Sequence, residues 1–162
     1  MARTRQAAIE EAGRAMQRYQ RSVQSFDDAV GRALGLGPAD MRCLDILSEG
    51  PRTAGELSAA TGLRPAATTA LIDRLVVKGF VVRRPSESDR RQVLVAMTEE
   101  GARRTWDAYG PMVTEGQQAF ESFTIAELDR MRDLLDGVTE LTDRHRARVD
   151  VETRSAAPRH TS

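Results

Sequence analysis

Residues 53–80 read TAGELSAATGLRPAATTALIDRLVVKGF, and this stretch decides the fold. Thr53 and Glu56 stand at capping-box spacing: the threonine oxygen takes a free helix amide, and the glutamate reaches back to the amide of the cap. The helix opened this way is brief, Ala54 to Ala60, because Thr61-Gly62-Leu63 stops it. A second helix follows with Pro65 in its first turn, where a missing amide costs nothing. Its inward positions are Thr68, Leu71, Ile72 and Leu75. It closes at Lys78-Gly79, a cation against the helix dipole followed by a glycine cap. Two helices joined by a tight, glycine-containing turn outline a helix-turn-helix.

Outward from this core the pattern changes on both sides. Upstream, Asp40 to Glu49 reads as a short helix with Met41, Leu44 and Leu47 turned inward, followed by a Gly50-Pro51 turn. Downstream, Phe80–Arg84 and Gln92–Met97 are β-rich runs, and the polar loop Pro85–Arg91 between them makes a hairpin with a charged tip. Thr98-Glu-Glu-Gly-Ala opens a further helix through about residue 121, with Ala102, Trp106, Tyr109 and Val113 on its apolar side and a kink expected at Gly110-Pro111.

Both ends of the chain carry long amphipathic stripes. Ile9, Ala12, Met16, Tyr19, Val23, Phe26, Val30 and Ala33 repeat at 3,4 spacing until Gly35, Gly37 and Pro38 end the helix. Leu128, Met131, Leu135, Val138, Thr142, His145 and Val149 continue the same rhythm near the C-terminus. One such stripe could pack on its own domain. Two, in a chain with little core of its own left to cover, are buried best by pairing with each other and with a second chain. From Val151 the composition is that of a loose tail.

Composition removes several classes of function. The longest stretch without a charge is Pro65–Ile72, eight residues, far short of the roughly twenty that a membrane-spanning helix needs. The first ten residues hold no apolar run of the kind a signal peptide requires. Cys43 is the one cysteine, so no internal disulfide is possible. Set between inward positions, it reads as buried filler without a resolving partner. His145, flanked by Arg144 and Arg146, is a poor metal ligand, and no Cys/His/Asp cluster marks a metal site. Nucleophile elbow, phosphate loop and dinucleotide fingerprint are all missing, so neither an enzyme nor a cofactor is expected. The formal net charge is zero but uneven. Residues 51–97 carry eight basic groups against four acidic, net +4, and residues 98–141 carry four against ten, net −6. A basic middle permits a local phosphate-binding surface on a neutral chain.

TAGELSAATGL at 53–63 and TTALIDRLVVKGFVVRRPSESDRRQVLVAMTEEG at 68–101 closely resemble the MarR family of bacterial winged-helix regulators. The marks are Thr69, Ile72-Asp73-Arg74-Leu75, Lys78-Gly79-Phe80-Val81, Arg83-Arg84, the Asp89-Arg90-Arg91 tip and Thr98 through Gly101. The resemblance implies a mainly α fold with a small β-hairpin wing. It places a winged helix-turn-helix at 35–101, dimerisation helices at 1–34 and 120–150, a connecting helix at 102–119 and a flexible tail at 151–162. It also implies a homodimeric regulator of transcription, a repressor in the bacterial cytoplasm associated with the nucleoid. Its partner is double-stranded DNA, with two half-sites about one helical turn apart in a pseudo-palindrome.

The DNA-binding set expected from these residues is Arg52, Arg64, Ala66, Thr68, Thr69, Arg74, Arg90 and Arg91. Arginine can take guanine bidentately, threonine either type of base edge, and alanine a thymine methyl. Arg52 and Arg74 fall to phosphates. By the resemblance, Arg91 enters the minor groove, where A·T-rich segments concentrate negative potential, while Asp89 orients the arginine pair and Arg90 supports it or binds phosphate. In similar proteins a small, often aromatic or phenolic, acid binds between the dimerisation helices and the winged lobe. The corresponding wall residues here are Met16, Tyr19, Arg42, Trp106 and Tyr109. Two alternatives stand beside this reading: a constitutive DNA-binding regulator without ligand, and a winged helix that binds another protein.

Overall fold

The computed structural model describes residues 4–86, 89 and 91–156. It contains, in chain order, α1 (Arg5–Leu34), α2 (Pro38–Ser48), β1 (Arg52–Thr53), α3 (Ala54–Thr61), α4 (Pro65–Val77), β2 (Val81–Pro85), β3 (Val93–Met97), α5 (Glu99–Phe120) and α6 (Ile125–Ala156). The chain divides into two compact units at Pro111-Met112, within α5.

The first unit holds the winged helix. Leu44 and Leu47 of α2, Leu57 of α3, Leu71, Ile72 and Leu75 of α4, and Phe80, Val81 and Val95 of the sheet form one buried cluster around Cys43. The α3 N-terminus is capped as its sequence dictates: the Glu56 amide donates to Thr53 Oγ1 at 3.2 Å, and Glu56 Oε2 accepts from the Thr53 amide at 2.7 Å. Those bonds hold the Glu56 carboxyl below its usual range. Gly62, at φ 71°, turns the chain from α3 into α4.

Three details differ from the sequence expectation. α2 begins at Pro38 rather than Asp40, because proline suits a first helical turn as well as a helix end. The sheet has three strands, in the order β1-β3-β2, all antiparallel. Arg52 and Thr53 pair with Val95 and Leu94, a contribution too short to show any periodicity. α6 runs through Ala156, past the point where composition places the loose tail. α5 carries Pro111 within a continuous helical run.

Thr98 and Gly101 join the wing to α5. Thr98 Oγ1 donates to the Gly79 carbonyl at 2.6 Å and accepts from the Gly101 amide at 2.9 Å, while the Thr98 amide donates to the Phe80 carbonyl. A Cβ at Gly101 would lie 2.3 Å from the Phe80 oxygen and 2.8 Å from its Cα. Only glycine lets the helix sit this close to the strand. The Arg104 guanidinium then covers the Phe80 ring at 4.1 Å.

In the second unit, Thr124 and Glu127 cap α6 with a second capping box: the Thr124 amide donates to Glu127 Oε2 at 2.8 Å, and the Glu127 amide donates to Thr124 Oγ1 at 3.3 Å. Ile125, Leu134, Leu141 and Val149 of α6 are exposed in the single chain.

Gly101→Ala is expected to cost about 1–3 kcal/mol in urea unfolding, since overpacking against backbone outweighs the gain in helix propensity. Gly13→Ala, with open space around its Cβ, is expected to stabilise by up to about 1 kcal/mol.

Candidate nucleic-acid interface

α4 turns one face to the core and leaves the other bare. Arg64 stands at its N-cap, and Ala66, Thr69, Ala70 and Asp73 are exposed beyond it. Small side chains let this face approach a groove closely. Thr69 Oγ1 donates to the Pro65 carbonyl at 3.1 Å, so its hydroxyl offers acceptor lone pairs outward. Asp73 is held by Arg83 of β2 at 2.7 Å, an ion pair joining the helix to the wing. Arg83 was not among the residues singled out for the site. A basic residue on a strand directly after the helix is the signal that could have found it.

At the wing tip the Asp89 carboxylate accepts the Arg91 amide at 3.0 Å, and the Asp89 carbonyl accepts the Gln92 amide at 2.9 Å. These bonds turn the chain and leave Arg91 exposed. Arg90 lies outside the described residues.

Three expected DNA contacts are engaged elsewhere. Thr68 is 2% exposed, with its hydroxyl on the Arg64 carbonyl at 3.2 Å; it is a core residue and cannot reach a base. Arg74 closes on Asp40 of α2, with Nη2 at 2.5 Å and Nε at 3.2 Å from Oδ1. Asp40 is 2% exposed and also accepts the Gly37 amide at 3.0 Å. A buried carboxylate needs such partners, so the guanidinium is bound to it rather than free for a phosphate. Arg52 folds back on Glu49 at 3.2 Å and on the Pro51 carbonyl at 3.2 Å. That exposed pair is weak enough to open toward a phosphate.

Beside this lobe, within the first unit, α1, α2 and α5 border a cavity of about 810 Å3 that is open to solvent on one side. Arg42, Trp106 and Tyr109 line it, as expected. Met16 and Tyr19 do not: the cavity begins at Gln24, further along α1, and Tyr19 is 63% exposed. The Tyr109 hydroxyl donates to Asp27 Oδ1 at 2.8 Å, and its ring meets Phe26 edge-on at 5.4 Å. Burial raises the Tyr109 hydroxyl pKa, and the bond to Asp27 and the charges of Asp27 and Asp45 raise it further. Cys43 is fully buried, and burial, with Asp40 nearby, pushes its thiol up to about 11. At neutral pH it is therefore an unreactive thiol. Among the described residues no His/Cys/Asp/Glu group could hold a metal ion, and no helix is long and apolar enough to cross a membrane.

A helix-turn-helix with a bare second helix, a basic wing and long flanking helices defines a winged-helix DNA-binding regulator. Comparison with known proteins gives its family. A family model described as MarR family matches residues 34–92. The HTH-type transcriptional regulator YcgE of Bacillus subtilis, described as uncharacterized, is 38% identical over 105 residues, 64% of this chain and 68% of that protein. Wild-type apo MarR from E. coli is 26% identical with a TM-score of 0.54, covering 78% of this chain and 95% of that one. CouR from Rhodococcus jostii RHA1, solved bound to p-coumaroyl-CoA, is 29% identical with a TM-score of 0.58, covering 82% and 94%. The chain belongs to the MarR family of DNA-binding transcriptional regulators.

Arg74→Ala strands the Asp40 charge in the core and is expected to cost about 2–4 kcal/mol in urea unfolding. Arg52→Ala, which opens only a surface pair, is expected to stay within about 0.5 kcal/mol of the parent.

Proposed function

We propose that the protein is a homodimeric repressor that binds a pseudo-palindromic operator and leaves it when a small aromatic ligand enters the cavity. The observation that carries this reading is the pairing of a bare, small-residue α4 face with a wing whose Arg91 is presented by Asp89. In it, α4 lies in the major groove, with Arg64 toward guanine, Ala66 toward a thymine methyl and Thr69 accepting from a base amino group. Arg91 enters the minor groove, Arg90 supports it, and Arg52 takes a phosphate.

Dimerisation falls to α1 and α6, the helices of 1–34 and 120–150, whose apolar stripes stay substantially exposed in one chain. Residues 35–101 form the DNA-binding lobe and 102–119 the connection. Such a dimer, at work on the nucleoid in the bacterial cytoplasm, sets the spacing of two α4 helices. A ligand weakens DNA binding only by favouring a different spacing. The size of the cavity supports a ligand-responsive regulator over a constitutive one, and that CouR was solved bound to p-coumaroyl-CoA supports it further.

Fluorescence anisotropy on DNA from upstream of the protein's own gene tests the reading. Arg91→Ala is expected to remain a dimer by sedimentation and to lose roughly 1–3 kcal/mol of DNA affinity, a factor of about 5–150. Affinity of the parent should fall steeply with salt. An Arg91→Ala dimer that binds as well as its parent would remove the wing from the interface and favour a protein-binding role.

A further inference from the structure

Three carboxylates and two guanidinium groups line the cavity. Other carboxylates of the first unit meet cations directly, Asp73 with Arg83, Glu100 with Arg103 and the buried Asp40 with Arg74. Around the cavity stand Asp27, Asp28 and Asp45, and among the described residues none of them has a cation within ion-pair distance. Asp27 accepts only the Tyr109 hydroxyl, and Asp28 only the Gln24 amide, at 3.2 Å. Burial raises the Asp45 carboxyl pKa, and the charges of Glu49 and Asp27 raise it further; no cation offsets them. Two arginines also line the walls. Arg42 donates to the Thr61 carbonyl at 3.4 Å, toward α3, and Arg32 makes no ion pair with any of the three aspartates.

Asp27, Asp28 and Asp45 line the cavity together, with Asp27 bonded to Tyr109, so this part of the wall is electronegative. Aromatic surface lies along the same wall. Trp106 and Tyr109 are three residues apart on α5, and both line the cavity. Aromatic faces beside uncompensated carboxylates make the combination that recognises an organic cation, through ring quadrupole and charge together. The acid implied by the family resemblance would have to seat its carboxylate against two others on this part of the wall.

We propose that the cavity takes a positively charged aromatic molecule, with Asp27 and Asp45 facing its charge and Trp106 and Tyr109 its rings. This rests on the reading of the cavity as the effector site and names the ligand class of that site.

Tetraphenylphosphonium and tetraphenylborate are nearly equal in size and opposite in charge, and Trp106 is the one tryptophan in the chain. Titration of each ion into the full-length protein, followed by Trp106 emission, therefore reads occupancy of this cavity by charge alone. The phosphonium is expected to saturate and to bind at least about tenfold tighter than the borate. Asp45→Asn, which keeps the size of the side chain, and Asp27→Asn, which can still accept the Tyr109 hydroxyl, should each weaken the phosphonium several-fold. Asp107→Asn, on α5 but outside the cavity lining, should not.

Equal binding of the two ions, preference for the borate, no saturable binding of either, or indifference to both aspartate variants would overturn the inference. Operator release is read in parallel by anisotropy. A phosphonium that binds without releasing DNA leaves the charge preference standing and refutes the effector role. A borate that binds tighter and releases DNA does the reverse.

Discussion

A single buried carboxylate ties α4 to the rest of the first unit. Asp40 sits in the first turn of α2, where its oxygen caps the Gly37 amide, and it is almost fully removed from water. Such a charge must be matched, and the match comes from Arg74, near the C-terminal end of α4. A second bond runs parallel to it: Lys78, just beyond α4, donates to the carbonyl of Gly35, the C-cap of α1. The end of α4 is thus fixed at two points to the junction between α1 and α2. Lys78 is the sole lysine among 24 basic residues, and a point-like ammonium suits a single cap carbonyl better than a planar guanidinium.

That junction also forms part of the cavity wall. Gly31 and Leu36 flank the end of α1, Pro38 and Met41 belong to the start of α2, and all four line the cavity. Gly31 is packed closely there, since a Cβ on it would lie 3.0 Å from the Leu36 carbonyl oxygen. A molecule that separates α1 from α2 pulls on the same few residues that hold Arg74 and Lys78. Under the proposed function, ligand response and DNA binding would share one mechanical element, the α1–α2 junction. The direction of coupling follows from which junction geometry the ligand prefers.

The sequence revealed most where the determinants are local. The Thr53–Glu56 cap, the Leu71/Ile72/Leu75 stripe and the Gly79 turn are each set by residues within a few positions of one another, and each lies where its spacing places it. Determinants distant in the chain were read less well. Arg74 looked like a phosphate ligand because its partner, Asp40, lies 34 residues away and looked like the polar start of a helix. The spacing puts Thr68 on the inward stripe while its residue type puts it in the DNA-binding set, and its burial decides for the core. The two-residue strand β1 carries no period at all. Met16 and Tyr19 share the apolar rhythm of α1 with residues beside the cavity, and a rhythm does not tell where along a 30-residue helix a cavity opens.

The dependence of DNA binding on the Asp40 tether is tested most directly by the operator affinity of Asp40→Asn, with helical content checked by circular dichroism at low temperature. The variant keeps the Gly37 cap but loses the charge that holds Arg74. The account predicts a folded dimer that binds operator DNA roughly tenfold or more weakly, a loss of at least about 1.4 kcal/mol. A folded Asp40→Asn dimer with the parent's affinity would contradict it, because α4 would then keep its place without the tether.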